Sequence, residues 1–119
     1  MAKILIVDDS DSLLEVLSFQ IRRHGDEAVS FYSLENFVEK VQKHQPDVIL
    51  MDILQQGIDG IDLCKGIKST PATKHIPIIL MSACSIMLSE YEKYNAEEII
   101  EKPFDFPVVY EKINAVLSR

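Results

Sequence analysis

The chain has little basic charge. Its 119 residues carry 12 Lys and Arg against 19 Asp and Glu, a formal net charge of −7. Phosphate contacts need Lys and Arg, which argues against nucleic acid as a direct partner but leaves a basic protein surface open. Cysteine is equally sparse. Cys64 and Cys84 form no C-x-x-C pair, so they read as reduced thiols that pack as small apolar groups. No apolar run approaches the ~20 residues of a membrane-spanning helix, and the N-terminus lacks the signal-peptide pattern. No membrane partner is expected, and the expected compartment is the cytoplasm. His24, His44 and His75 lack metal-ligand spacing and fall at polar positions. Repeats, linkers and low-complexity segments are missing too. One domain over residues 1–119 is expected, and 47% hydrophobic content is enough to give it a core.

What is present is a regular alternation of apolar runs and helical patterns, the mark of βαβ units and a parallel sheet. Lys3 to Val7 reads as a first strand. Ser10 or Asp11 can cap a helix with Leu13, Leu14, Leu17 and Ile21 on one face, and Gly25 ends it. Glu27 to Phe31 is a more polar strand that suits a sheet edge. Ser33 then caps a second helix with Leu34, Phe37, Val38 and Val41 at i, i+3, i+4 and i+7. Val48 to Met51 is a third strand, followed by a loop at Gly57 and Gly60 and a helix with Ile61, Cys64 and Ile67. Pro77 to Met81 is a fourth strand, and Met87, Tyr91 and Tyr94 lie on a poorer helix. Glu98 to Glu101 is a short fifth strand. Asp105 caps a last helix whose stripe is Val109, Ile113, Val116 and Leu117. Five strands and five helices are expected.

Strands that are apolar throughout are central strands covered on both faces. In such open sheets ligands bind beyond the carboxyl ends of the strands. Here those ends carry chemistry: Asp8 and Asp9 after the first strand, Asp52 after the third, Ser82 after the fourth and Lys102-Pro103 after the fifth. Three carboxylates about 5 Å apart repel by about 3 kcal/mol per pair at an effective dielectric near 20. A hard cation such as Mg²⁺ suits that oxygen set. One carboxylate beside it becomes a usable nucleophile toward phosphorus. Lys102 supplies a point charge, and Ser82 a hydroxyl, for phosphoryl oxygens. Singly, an acid at a strand end is a solvated turn residue, and Asp59 and Asp62 read that way.

These residues, in order, resemble the receiver domain of two-component response regulators. The likeness rests on Lys3 to Asp9 (KILIVDD), Asp47 to Ile53 (DVILMDI), Gly57 to Gly60 (GIDG), Ile76 to Ala83 (IPIILMSA) and Lys102 to Phe104 (KPF), nearly the whole chain. The resemblance implies a doubly wound, flavodoxin-like α/β/α fold whose five-stranded parallel sheet has the order 2-1-3-4-5. It implies Asp52 as phosphoacceptor, with Asp9, Asp52 and the Leu54 carbonyl as Mg²⁺ ligands and Asp8 acting partly through water. Ser82 and Lys102 would hold the phosphoryl group, and Lys102-Pro103 would be cis. The implied partners are a histidine kinase or phosphotransfer protein and a downstream protein or output domain, with room for a phosphorylation-dependent dimer. Such a domain is no enzyme in the usual sense, catalysing only its own phosphorylation and dephosphorylation. The chain departs from the family at Gln55-Gln56, where Met-Pro is usual, and at Ile99, where an aromatic is usual. Asn95-Ala96 stands for Gly-Ala, and the stretch from Ser82 to Lys102 is slightly short.

Two other readings compete. The departures at Gln55, Gln56 and Ile99 favour an interaction module that signals without phosphate, while the intact acids, Ser82 and Lys102 weigh against it. A flavodoxin would need a hydroxyl- and Gly-rich loop where Asp8-Asp9-Ser10-Asp11 would repel phosphate. An aspartate-based phosphatase would need an Asp where Leu54 stands, together with a cap domain.

Overall fold

The computed structural model describes residues 1–52, 60–83 and 96–118, without the side chains of Gly60 and Ile61. The described elements are β1 (Lys3–Val7), α1 (Asp11–Arg23), β2 (Glu27–Phe31), α2 (Phe37–His44), β3 (Val48–Asp52), α3 (Gly60–Ser69), β4 (Ile78–Ser82), β5 (Glu98–Glu101) and α4 (Phe106–Leu117). The strands form one parallel sheet in the order β2-β1-β3-β4-β5, as the resemblance implied. The expected helix with Met87, Tyr91 and Tyr94 lies outside the described residues, as do Leu54, Gln55, Gln56, Gly57, Asp59, Cys84 and Asn95.

Strand period explains the layers. Successive side chains leave opposite faces of a sheet. Leu5, Val7, Ile49, Met51, Ile78 and Leu80 therefore share one core with Phe37 and Val41 of α2 and Cys64 and Ile67 of α3. Ile4, Ile6, Val48, Leu50, Ile79 and Met81 share the other with Leu14, Leu17 and Ile21 of α1 and Val109, Ile113 and Val116 of α4. This is why β3 and β4 are buried at every position, whereas β2, at the edge, is not. Gly66 of α3 sits where α2 crosses: a Cβ there would meet Val38 Cγ2 at 3.3 Å.

Helix α1 is capped by Ser10, whose Oγ accepts from Leu13 N at 3.2 Å, and Gly25 follows its end at φ +87°. A left-handed φ favours glycine because no Cβ meets the backbone. Two sequence expectations are corrected. Helix α2 begins at Phe37, not after Ser33. The Ser33 hydroxyl accepts from Glu35 N at 3.1 Å, a local bond that competes with helix, and Asn36 turns left-handed at φ 54° before the helix starts. Leu34 still reaches the core from this turn. In α4, Leu117 is 39% exposed, and Tyr110 takes the buried face instead.

A polar contact explains Tyr110. Its hydroxyl donates to Asp26 Oδ2 at 2.6 Å, so the phenol is buried with its polar end satisfied. Asp26 Oδ1 accepts from Ala2 N at 2.9 Å, and the His24 ring stacks on Tyr110 at 4.0 Å between centroids. The Tyr110 hydroxyl first, and then the Ala2 N–H, hold the Asp26 carboxyl below its ordinary 3.8. A carboxyl lowered on folding stabilises the fold above its unfolded value, and that gain is lost as pH falls through the folded value. Tyr110→Phe should therefore lower stability on the order of 1 kcal/mol at neutral pH. The gap from wild type should narrow below about pH 4. Urea unfolding midpoints of the two proteins from pH 3 to pH 7 would check this; a gap that stays constant in acid would remove Asp26 from the account.

Candidate functional site

Strand register builds the site. Val7 lies beside Met51, so the residues that follow, Asp8 and Asp52, emerge level with each other at the centre of the sheet. Asp52 in turn lies beside Met81, which places Ser82 one step beyond it. Ser82 is level with Glu101, and Lys102 comes next; its backbone N–H donates to Ser82 O at 2.9 Å. Four strand ends thus converge on one edge. The peptide bond from Lys102 to Pro103 is cis, as the resemblance implied.

One carboxylate oxygen each from Asp8, Asp9 and Asp52 lies within 4.8 Å of the others. Their surroundings differ. Asp8 is wholly buried; its Oδ1 accepts from Ser10 N at 2.9 Å and its Oδ2 from Lys102 Nζ at 2.5 Å. Asp52 is 4% exposed and lies 3.6 Å from the same Lys102 nitrogen. Asp9 is exposed. Ser82 is wholly buried. Lys102 thus bridges two buried acids, and the donor set is hard oxygen with a net negative charge. Among the expected site residues the structure brings together Asp8, Asp9, Asp52 and Lys102, with Ser82 on the adjoining strand end. Leu54 lies outside the described residues.

Two features were not anticipated from the sequence. Ser10 does more than cap α1, since its N–H holds Asp8; the signal was present in the close spacing of an acid and a helix start. The second is an apolar groove of about 360 Å³ beside Lys102, lined by Leu13, Ala83, Pro103 and Phe104. Its walls come from distant parts of the chain, so no local pattern marks it. Cys64 is confirmed as a packing residue: burial pushes its thiol up to about 12, which leaves it protonated and inert at neutral pH.

Comparison with known proteins agrees with this geometry. The family model "Response regulator receiver domain" matches residues 4–114, and the chain belongs to that family. Response regulator ArlR of Staphylococcus aureus is 30% identical over the whole of this chain and 54% of its own length. The chain spans about half the length of the curated relatives it matches. A putative response regulator from Chloroflexus aurantiacus superposes with a TM-score of 0.90 at 30% identity, over 99% of this chain and 98% of its own. TrrA from Thermotoga maritima, a response regulator solved in complex with Mg²⁺-BeF, gives 0.86 at 29% identity, over 98% of this chain and all of its own. The chain is thus a receiver domain of the kind found in two-component response regulators. No described helix is long and apolar enough to cross a membrane.

The charge balance can be measured without any ligand. At 4.8 Å two carboxylates repel by about 1 kcal/mol in water and about 3 at a dielectric near 20. Asp9 is exposed, so the smaller figure applies to it. In chelator, Asp9→Asn should gain about 1 kcal/mol, a few degrees in melting temperature. Lys102→Met strands the buried Asp8 charge and should lose about 3 kcal/mol, the lower end for breaking a buried pair. Thermal melts of both variants give the two signs; a Lys102→Met protein that melts like wild type would mean that this lysine does not balance the acids.

Proposed function

We propose that the chain is a phosphoacceptor module: it takes a phosphoryl group from a histidine kinase or phosphotransfer protein onto Asp52 and changes its interaction surface in response. The observation that carries this is the cluster of Asp8, Asp9 and Asp52 with Lys102 set between two of them. Both Asp8 oxygens are engaged by Ser10 and Lys102, and Asp9 faces water. Asp52 ends the central strand with a cation nearby, the best placed of the three for a nucleophile. In the transfer, an Asp52 carboxylate oxygen bonds to phosphorus as the bond from phosphorus to a nitrogen of the donor's imidazole ring, protonated at its other nitrogen, breaks. The product is an acyl phosphate on Asp52 and a neutral imidazole. Lys102 then faces the phosphoryl oxygens as a point charge, and the Ser82 hydroxyl donates one more bond.

The donor set fits Mg²⁺: hard carboxylate oxygens, close together and only partly neutralised by Lys102. Asp8, Asp9 and Asp52, with the Leu54 carbonyl, are the residues that would hold it. Bound there, the cation supplies charge neutralisation for the acids and for the transferred group. TrrA, a relative of similar fold, was solved with Mg²⁺-BeF, which supports the same chemistry here. On this reading the chain acts in the cytoplasm and catalyses only its own phosphorylation and dephosphorylation. It passes the signal to a downstream protein or output domain, with nucleic acid contacted, if at all, outside this chain.

Incubated with Mg²⁺ and a small acyl-phosphate donor, the wild type should gain the mass of a single phosphoryl group, and Asp52→Asn none. Intact-mass spectrometry reads this directly. A label that persists in Asp52→Asn would move the acceptor elsewhere. No label on the wild type would favour a module that signals without phosphate.

Ile99 shapes the response. It lies half-buried on β5 and packs against the core on the α2 and α3 side, where the family usually has an aromatic. A β-branched side chain has few rotamers to exchange. Phosphorylation should therefore perturb amides around Asp52 and Ser82 more than those of β5. Amide chemical shifts with and without a stable phosphoryl mimic are the measurement, and changes at Ile99 rivalling those at Ser82 would contradict it.

A further inference from the structure

Strand β5 carries Lys102 to the site, yet its own apolar pattern does little to fix its height. It lies at an edge and pairs with β4 alone. Its sequence is Glu98-Ile99-Ile100-Glu101, and within it only Ile100 is buried. Register is well specified where a slip of one residue would turn the whole apolar set to the wrong face. In β5 that holds for one direction only. If each residue moved back into the place of the one before, Glu101 would enter the buried place of Ile100, a costly burial. If each moved on into the place of the one after, Ile99 would enter it instead, and an Ile would still fill the core. That second slip would put Glu101 where Lys102 stands, an acid facing Asp8 and Asp52.

A polar clasp at the far end of β5 opposes that slip. Glu97, just before β5, meets Ile78, the first residue of β4, twice. Its N–H donates to Ile78 O at 2.9 Å, and its Oε2 accepts from Ile78 N at 2.6 Å. Its Oε1 accepts from Lys68 Nζ of α3, which also donates to the Ile76 carbonyl at 2.9 Å. The Lys68 side chain is 16% and that of Glu97 28% exposed, so the pair is largely shielded from water. After the second slip Ala96 would stand in the place of Glu97, with no carboxylate for either partner. At the near end of β5, Lys102 N donates to Ser82 O at 2.9 Å. From Glu97 to Lys102 is about 16 Å along a strand, too far for direct contact.

We propose that Glu97, anchored by Lys68, is a positioning residue for Lys102: by fixing the height of β5 against β4, it sets the lysine between Asp8 and Asp52. Its bearing on phosphoryl transfer rests on the phosphoacceptor function proposed above, where Lys102 faces the phosphoryl oxygens. Its bearing on the charge balance of Asp8 and Lys102 does not.

Urea unfolding of four chains in chelator tests the geometry without any phosphodonor. Lys102→Met alone should raise the unfolding equilibrium constant about a hundredfold, by stranding the buried Asp8 charge. In a Glu97→Ala chain the same change should raise it about tenfold or less, because the lysine no longer meets Asp8; independent sites more than about 10 Å apart give equal factors. Glu97→Ala combined with Lys68→Met, which strands no charge, replaces Glu97→Ala if the single change does not fold. By NMR, the Lys102 amide and ammonium signals should shift in Glu97→Ala, while the amides of Leu5 and Ile6 on β1 stay in place. Glu97→Gln keeps an oxygen for the Ile78 N–H and should return the Lys102 signals most of the way. With Mg²⁺ and a small acyl-phosphate donor, Glu97→Ala should slow labelling about tenfold, as misplacing a charge by an ångström can. It should slow a Lys102→Met chain no further. Equal unfolding factors in the two backgrounds overturn the proposal. So do Lys102 signals that Glu97→Ala leaves unmoved or Glu97→Gln leaves fully displaced, or labelling of Lys102→Met that Glu97→Ala slows by the same factor. If the wild type takes no label, the phosphoacceptor function fails, and the unfolding and NMR results still decide the role of Glu97.

Discussion

Repulsion among three carboxylates at the carboxyl edge of a parallel sheet is the constraint around which this domain is organised. Nothing in the local chemistry of Asp8, Asp9 or Asp52 draws them together; the register of β1 and β3 does. The fold tolerates the cluster because Lys102 stands against both buried acids and the Ser10 N–H takes a further Asp8 oxygen. Those contacts offset part of the charge and leave the cluster with a net negative charge. A site held in partial balance can respond to small changes in charge, which is what a signalling module needs.

The scaffold that holds this balance is stiff for a simple reason. Every inner strand divides its side chains between two cores, so β1, β3 and β4 cannot slip by one residue without exchanging the faces that bury them. The site residues sit at or just beyond the last paired positions. Their relative heights are thus inherited from hydrophobic pairing many residues away. Smaller polar ties complete the frame. Lys68 of α3 bonds the Ile76 carbonyl and pairs with Glu97, whose other oxygen takes the Ile78 N–H at 2.6 Å, fastening α3 to the entry of β4 and β5. Tyr110 and Asp26 do the same between α4 and the start of β2.

Membership of the receiver family gives this frame its context, and the chain's own departures give it its character. Ile99, where the family usually has an aromatic, packs into the core. Helix α1 presents both a charged start next to the acids and an apolar ridge facing water.

Much of this was legible in the sequence, and for identifiable reasons. Unbroken apolar runs at Ile4–Val7 and Val48–Met51 can be buried only as inner strands, and their ends can carry only what the edge of the sheet requires. That made the fold and the candidacy of Asp8, Asp9, Asp52, Ser82 and Lys102 readable from order and spacing. Other features depend on contacts between residues far apart in the chain. Ser33 looked like a helix cap, yet its hydroxyl closes a turn and α2 starts later, because Leu34 is drawn into the core. Leu117 looked buried and Tyr110 did not, until Asp26 supplied the partner that lets a phenol enter the core. The unequal burial of Asp8 and Asp9, adjacent in sequence, is likewise a tertiary result: consecutive residues leaving a strand face opposite ways, and only Lys102, 94 positions on, determines which acid is paired. The sequence by itself determined which residues reach the edge of the sheet, because hydrophobic period sets strand and register. Tertiary structure alone decided which of them share a charge, because that depends on distances no local pattern encodes.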